Sequence, residues 1–327
     1  RIFTDNELLF RYNNSDFSFS DSRYAYAIID YAYFKQSGRR MLWTKQLPAC
    51  RIRCVNYRDG GVIASRNGQV QEIRILLSDE RDNASDFVFY LKGELQNPNI
   101  ALLQNLAGKR TRETEQTEKS GIYAIDRSKP STIILPDSSS VYFPENSLYE
   151  NLDLRYSSTK GKFSSVHNIH DNRTPLHKSI KLKFRYSKNL ETYKSKALVV
   201  STTGKGRRSS VGGKAEGDYI VCSVSNFGTY TVDIDTVAPV CKAKNFVSGK
   251  KIKPKQRSIQ VRISDNLSGI SSYNAYLNDK WLLAEYDGKS GTLIMAAEDF
   301  PKGRSELKII LSDAKNNTST HRFIVVR

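Results

Sequence analysis

The sequence predicts an all-β chain of three consecutive β-sandwich domains, the first and third Ig-like and mutually related, the first lacking its N-terminal strands. Three observations predict it. Leu77-Ser78-Asp79 followed by Asn83, Ser85 and Phe87 matches Leu311-Ser312-Asp313 followed by Asn317, Ser319 and Phe323, with one shift in spacing at the last residue. Self-similarity of that kind marks duplicated structural units. Within residues 178–186, Ile180, Leu182, Phe184 and Tyr186 alternate with Lys181, Lys183 and Arg185, the pattern of a strand with one wet face. Finally, 18 Tyr and 14 Phe stand against two Met, and 19 Gly and 9 Pro are spread thinly, a composition that tilts towards β structure and away from collagen-like or low-complexity classes.

Taken in order, residues 1–95 form the first Ig-like unit. The repeat extends upstream there, with Phe3-Thr4-Asp5, Leu8-Leu9 and Tyr12 lining up with Leu277-Asn278-Asp279, Leu282-Leu283 and Tyr286. The second copy has residues ahead of its matching point that the first has not, including an alternating strand over 258–264 with Ile259, Val261 and Ile263 facing in. The chain is therefore expected to begin inside a domain. An insertion over residues 17–47 distinguishes the first copy, and its Ser20-Asp21 start with Tyr24, Ile28 and Tyr31 at helical spacing predicts a short helix. In Cys50-Arg51-Ile52-Arg53-Cys54, strand alternation puts both thiols and Ile52 on one face. Four residues at strand rise separate the two sulfurs by about 13 Å, too far for a disulfide, whose Cα atoms lie within about 7 Å.

Residues 96–232 form the central sandwich, reached through a polar linker at 108–119 and interrupted by a basic glycine-rich loop at 204–217. Asp233-Ile234-Asp235-Thr236-Val237-Ala238-Pro239 marks the join to the third unit, residues 233–327. Cys222 and Cys241 fall in neighbouring predicted strands, where they either pair or stay as buried thiols; burial is the ordinary state of such a Cys.

Chemistry was sought at each cluster of reactive groups. His167 and Asp171 have H-x-x-x-D spacing, with His170 and His177 near, and imidazole and carboxylate are zinc ligands. A hydrolytic site needs a further ligand and a base, and the chain contains no H-x-H and no H-E-x-x-H. A polar connection over 166–175 accounts for those residues, with Asp171, Asn172 and Thr174 making turn bonds and Pro175 restarting the strand. No G-x-S-x-G is present, the glycines over 206–214 are wrongly spaced for a P-loop, and the Asp79, Asp82 and Asn83 set reads as a turn rather than a calcium site. Paired carboxylates such as Asp265 and Asp279 also read as turn residues. Neither a catalytic residue nor a metal or cofactor ligand is assigned to the chain.

The formal net charge of +17 predicts attraction to polyanions. One basic stripe is Lys178, Lys181, Lys183, Arg185 and Lys188; another is Lys242, Lys244, Lys250, Lys251, Lys253, Lys255 and Arg257. Nucleic-acid platforms interleave exposed aromatics with such charges, whereas here the aromatics alternate inward, so specific nucleic-acid binding is not expected. No apolar run reaches the ~18 residues of a membrane span.

A set of ordered motifs resembles a known family. These are Phe17-Ser18-Phe19, Ser22-Arg23-Tyr24, Ile29-Asp30-Tyr31 and Ser37-Gly38-Arg39-Arg40; Phe143-Pro144-Glu145-Asn146-Ser147-Leu148-Tyr149; Thr174-Pro175-Leu176-His177-Lys178; Ser225-Asn226-Phe227-Gly228; Asp235-Thr236-Val237-Ala238-Pro239; and Ser264-Asp265-Asn266-Leu267-Ser268-Gly269-Ile270. Together they resemble the C-terminal region that follows the catalytic domain in LytM/lysostaphin-type zinc metallopeptidases of Bacteroidota. Members of that family cut peptidoglycan cross-bridges with zinc held by H-x-x-x-D and a later H-x-H. With no H-x-H here, and Ile169 where the family's H-x-x-x-D usually has Gly, no catalytic residue carries over. The resemblance implies a non-catalytic accessory region in the cell envelope, periplasmic or outer-membrane-associated. It implies a zinc peptidase domain upstream of Arg1 as its immediate partner; envelope proteins are further expected partners, and the basic stripes are expected to contact anionic envelope polymers. The alternative expectation is a scaffolding subunit of an outer-membrane-associated complex with degenerate peptidase ancestry.

Overall fold

In the computed structural model, the described residues are 1–13, 24–48, 50, 52, 54–65, 68–93 and 119–327. The chain is almost entirely antiparallel β. In the first unit, β1 (Ile2–Thr4), β2 (Glu7–Tyr12), α1 (Tyr31–Ser37), β3 (Val55–Tyr57), β4 (Val70–Ser78) and β5 (Ala84–Lys92) build one sheet of order β3-β2-β1-β4-β5. Its β2–β3 end is covered by the insertion, through Ala27, Ile28, Ile29, Cys50, Ile52 and Cys54.

The central unit contains β6 (Lys119–Ile125), β7 (Ser131–Ile134), β8 (Ser140–Phe143), β9 (Leu152–Thr159), β10 (Val166–Ile169), β11 (Pro175–Arg185), β12 (Ala197–Thr202), β13 (Arg208–Gly212), β14 (Lys214–Glu216), β15 (Tyr219–Asn226) and β16 (Gly228–Ile234). They form two sheets, β13-β12-β16-β10-β9-β6 and β14-β15-β11-β8-β7, closed over a core that includes Phe143, Leu154, Ile169, Leu182, Phe184 and Val199. The alternation in residues 178–186 predicts β11, where Ile180, Leu182 and Phe184 are buried and Lys181 and Arg185 exposed.

The third unit contains β17 (Val240–Ala243), β18 (Ser258–Ser264), β19 (Ile270–Leu277), β20 (Lys280–Leu282), β21 (Glu285–Asp287), β22 (Thr292–Ala296), β23 (Arg304–Asp313) and β24 (Thr318–Val326). Its sheets β17-β18-β22-β21 and β20-β19-β23-β24 enclose Ile259, Val261, Leu293, Leu307, Ile309 and Leu311. Strand β18 has the limits and the inward residues that the sequence predicts.

The duplication is visible strand by strand, because β2-β1-β4-β5 repeats β20-β19-β23-β24 in order and pairing. Ile73 pairs Phe89 as Leu307 pairs Phe323, and Ile75 pairs Phe87 as Ile309 pairs His321. Upstream, the structure corrects the sequence alignment by one residue. Asp5 and Asn6 take left-handed φ values of 48° and 65°, and Asn278 and Asp279 take 47° and 64°. The tight turn therefore equates Thr4-Asp5-Asn6 with Leu277-Asn278-Asp279, and Leu8-Leu9 with Trp281-Leu282. Asp and Asn tolerate these conformations because their short side chains bond locally.

Three further expectations are revised. The helix is α1, capped by the Asp30 side chain accepting from Tyr33 N at 2.8 Å and stopped by Gly38 at φ 71°; Tyr24 and Ile28 precede it, and residues 17–23, with the expected Ser20-Asp21 start, lie outside the described residues, as does the linker at 108–118. The glycine-rich loop 204–217 contains β13 and β14, which pair with β12 and β15 respectively. Gly212 (φ 79°) and Gly213 (φ 130°) let the backbone step from one sheet to the other, and a Cβ on Gly213 would stand 3.0 Å from Ile220. Residues 166–169 of the expected polar connection are strand β10, and only the turn from His170 to Pro175 remains irregular. Cys50, Ile52 and Cys54 share burial as alternation predicts, although the ladder begins only at Val55.

Candidate functional site

The three clustered histidines go to three different places. His167 is completely buried and lies flat on Phe184, ring centroids 4.1 Å apart, with Tyr156 Oη 2.9 Å from its Nδ1. Burial pushes its pKa down to about 4, against the opposing pull of Asp137. The Asp137 carboxylate stands 3.5 Å from Nε2, beyond an ordinary hydrogen bond. His170, at φ 54°, accepts from Arg155 N at 3.1 Å through Nδ1 and lies 3.1 Å from Thr174 Oγ1 through Nε2, so it is held as the neutral tautomer that closes the turn. Asp171 is clasped by Arg173, which with the backbone N–H of the same residue holds its pKa down. His177 stacks on Tyr24 at 4.9 Å and meets the edge of Tyr149 at 5.1 Å. These side chains do not converge on a common point; the geometry is that of core and turn histidines.

Among the described residues, one group of three ligand-type side chains does converge: Asp235, Asp265 and Asp313, each offering an oxygen within 4.8 Å of the others. It lies where the central and third units join. Asp265 was read from the sequence as one of a carboxylate pair with Asp279, but Asp279 lies apart on an exposed turn and pairs with Lys308. A set of carboxylate oxygens is the donor type that calcium takes. Turn amides, however, already occupy most of these oxygens. Asp313 accepts from Lys315 N at 2.7 Å, Asn317 N at 2.8 Å and Asn317 Nδ2 at 2.6 Å. Asp235 accepts from Val237 N and Ser268 N, and Asp265 from Leu267 N and Gly269 N. The half-buried Lys315 ammonium lies beside Asp235 and Asp313, although burial lowers its pKa, and donates to Gly213 O at 2.8 Å. Lys196 Nζ donates to Lys315 O and Asn317 Nδ2 to Asp235 O, so the same cluster stitches the two units together. The exposed Asp79 repeats the Asp313 turn bond for bond, accepting from Arg81 N, Asn83 N and Asn83 Nδ2. Asp82 and Asn316 match in φ, 58° and 59°.

The cysteines offer no nucleophile. Cys222 lies in the core of the central unit and Cys241 in that of the third, both free thiols, and burial pushes each pKa up to about 12. Both basic stripes are largely exposed; Lys183 covers the Tyr219 ring at 4.3 Å, and Lys178 donates to Glu145 O.

A cleft of about 320 Å³ lies between the insertion of the first unit and the central sandwich. Tyr26, Tyr31 and Trp43 form one wall, and Leu148, Tyr149 and Pro175 line the other; Asp30, Glu150 and Arg173 add polar groups. Tyr26 meets Tyr31 edge to face at 4.7 Å, while Trp43 stays 43% exposed and available to a ligand. The Leu148–Leu176 bridge and His177 N donating to Ser147 O at 2.8 Å fix the central-unit wall, and the Tyr24–His177 stack joins it to the insertion. Sequence analysis singled out Tyr24, Asp30-Tyr31, Tyr149 and His177 within motifs but missed Tyr26 and Trp43. The aromatic run from Tyr24 to Phe34 ahead of Trp43 was the available signal. A second hollow of about 620 Å³, near Arg155 and His170, is broader and more open.

Comparisons with known proteins give a partial likeness. Residues 127–235, the central unit, match the profile of a Zu5-like domain. Among solved structures, an apo expansin of Clavibacter michiganensis is similar at 12% identity and TM-score 0.23, covering 43% of this chain and 73% of its own. A 1.5-MDa bacterial ice-binding adhesin is similar at 8% identity and TM-score 0.19, covering 80% of this chain and 75% of its own. A search of curated protein sequences returns no match.

Proposed function

We propose that this chain is a non-catalytic accessory region of a cell-envelope zinc metallopeptidase, holding the peptidase against peptidoglycan rather than cutting it. One observation carries the reading. The separate motifs behind the family resemblance, those containing Tyr24, Asp30-Tyr31, Leu148-Tyr149 and Thr174-Pro175-Leu176-His177, meet in space around the aromatic cleft and its supporting stack. Open aromatic faces beside carboxylates and an arginine suit a sugar, whose ring packs on the apolar face while its hydroxyls bond the polar rim. The glycan strand is therefore the cleft's ligand under this proposal.

The test is co-sedimentation of the purified chain with sacculi. Binding that falls at least about tenfold in Trp43→Ala, with the fold intact, supports the reading, since an aromatic hot-spot anchor costs about 2 kcal/mol or more when truncated and about 1.4 kcal/mol is tenfold. Absence of binding, or equal binding by the variant, overturns it.

A further inference from the structure

The duplicated units differ in one respect that their sequences conceal. In the third unit the inner face of β23–β24 is sealed, with Leu307, Ile309 and Leu311 at 0% exposure. On the same face of the first unit, Leu77 is 56% exposed, Phe87 54% and Phe89 42%. These are not surface positions by design. The opposite face carries the polar set expected of a solvent side, with Arg74 bonded to Asp86 at 2.6 Å and Tyr90 Oη to Glu72 at 3.4 Å. The insertion covers the β2–β3 end, and on the inner face of β4 Ile73, the match of Leu307, is 1% exposed, so the open part is the stretch of Leu77, Phe87 and Phe89; a contiguous apolar patch left open marks a binding surface.

The third unit shows what covers the face in the intact repeat. The covering chain is residues 239–264, immediately before β19. Phe246 meets Phe323 edge to face at 5.8 Å, and Pro239 O accepts from Ser319 Oγ at 2.5 Å. Outer-edge groups of β24 are paired as well: Ile324 N donates to Ser248 Oγ, and Ile324 O and Val326 O accept from Gly249 N and Ile252 N. In the first unit the equivalents of Phe323 and Ile324 are Phe89 and Tyr90, and among the described residues no chain pairs with the outer edge of β5 there. Strand β19 is also longer than its counterpart. Its residues Ile270, Ser272 and Tyr273 pair with Asp313, Ser312 and Leu311, whereas β1 spans only Ile2–Thr4 and leaves Leu77 and Ser78 without partners on that edge.

We propose that this open face is the seat of a strand pair built like β17–β18, carried by the residues that precede Arg1 in the parent polypeptide. Those residues lengthen β1 along Leu77 and Ser78, turn, and cross the sheet with alternating apolar side chains over Leu77, Phe87 and Phe89. In the third unit the chain from Ser264 to Ile270 makes the same passage through a short turn, so the covering strand and β1 are continuous in sequence. This holds whether or not a peptidase is attached further upstream.

The test is thiol labelling of Phe87→Cys, with Tyr90→Cys on the polar face as control, in the 327-residue chain and in the parent polypeptide with its native upstream residues. All four natural cysteines are buried, so background labelling is low. The expected result is rapid maleimide labelling at both positions in the 327-residue chain, and slowing of at least about 100-fold at position 87 alone in the parent. Equal labelling of position 87 in the two proteins overturns the proposal, as does a mature parent that starts at Arg1. Slow labelling of the 327-residue chain that accelerates on dilution overturns it in favour of a second copy on the same face.

Discussion

The same substitution made at equivalent positions of the two repeats should have very different costs. Leu311 is fully buried among Ile259, Val261 and Ile309, and truncating such a leucine costs about 2–5 kcal/mol through lost transfer energy and a residual cavity. Leu77 occupies the matching site in β4 but is 56% exposed. Since full burial of a leucine is worth about 1.5–3 kcal/mol, the remaining contacts support less than about 1.5 kcal/mol. For a unit of this size 1 kcal/mol shifts Tm by about 4–8 °C, so Leu311→Ala should lower the third unit's transition by at least about 8 °C. The chain has two Trp, Trp43 in the first unit and Trp281 in the third, so Trp43→Phe and Trp281→Phe backgrounds let fluorescence report each unit separately. Leu77→Ala, capped at about 1.5 kcal/mol, should move the first unit's transition by less than about 6 to 12 °C, against about 8 to 40 °C for Leu311→Ala in the third. Equal shifts in the two units would refute the assignment of one sealed and one open face.

Three other outcomes follow from the geometry. The folded-state pKa of His167, about 4, lies below the ordinary 6.5, so its stabilising effect is complete above pH 6.5 and is lost as pH falls towards 4; the loss is on the order of 3 kcal/mol, and urea midpoints of the central unit at pH 7 and 4.5 should differ less in His167→Gln. Asn317→Ala removes amide bonds from a half-buried side chain to the buried Asp313 and Asp235, costing the third unit about 1–3 kcal/mol, whereas Asn83→Ala in the exposed copy should cost less than about 1 kcal/mol by the same denaturation assay. Binding of purified lipopolysaccharide, carried by exposed lysines such as Lys242, Lys250 and Lys253, should weaken steeply between low and physiological salt; salt-independent binding measured by titration would remove the electrostatic account.

The fold class was legible because its signals are local. Alternation marks β11 and β18 directly, and the D-x-x-x-N turns at Asp79 and Asp313 carry their own hydrogen bonds. Duplication was legible too, yet its register at Asp5-Asn6 slipped by one, since side-chain similarity does not reveal which residues take the left-handed turn. Helix α1 was only partly legible because Tyr24, Ile28 and Tyr31 at helical spacing place it too early, whereas the Asp30 cap and Gly38 set its limits. Strands β13 and β14 read as a loop because edge strands with Gly and Ser gain their structure from the neighbouring ladder, not from propensity. The cleft was only half visible: its residues come from segments more than a hundred positions apart. Burial of His167 was hidden for a related reason, as a histidine facing Phe184 across a sandwich looks in sequence like any polar connector.

The proposed service to an attached zinc peptidase stands or falls on what precedes Arg1. Peptide mapping of the native protein by mass spectrometry tests it most directly, by asking what precedes Arg1. An upstream extension carrying both H-x-x-x-D and H-x-H is the predicted result; an extension without them, or a native chain that begins at Arg1, would contradict the claim.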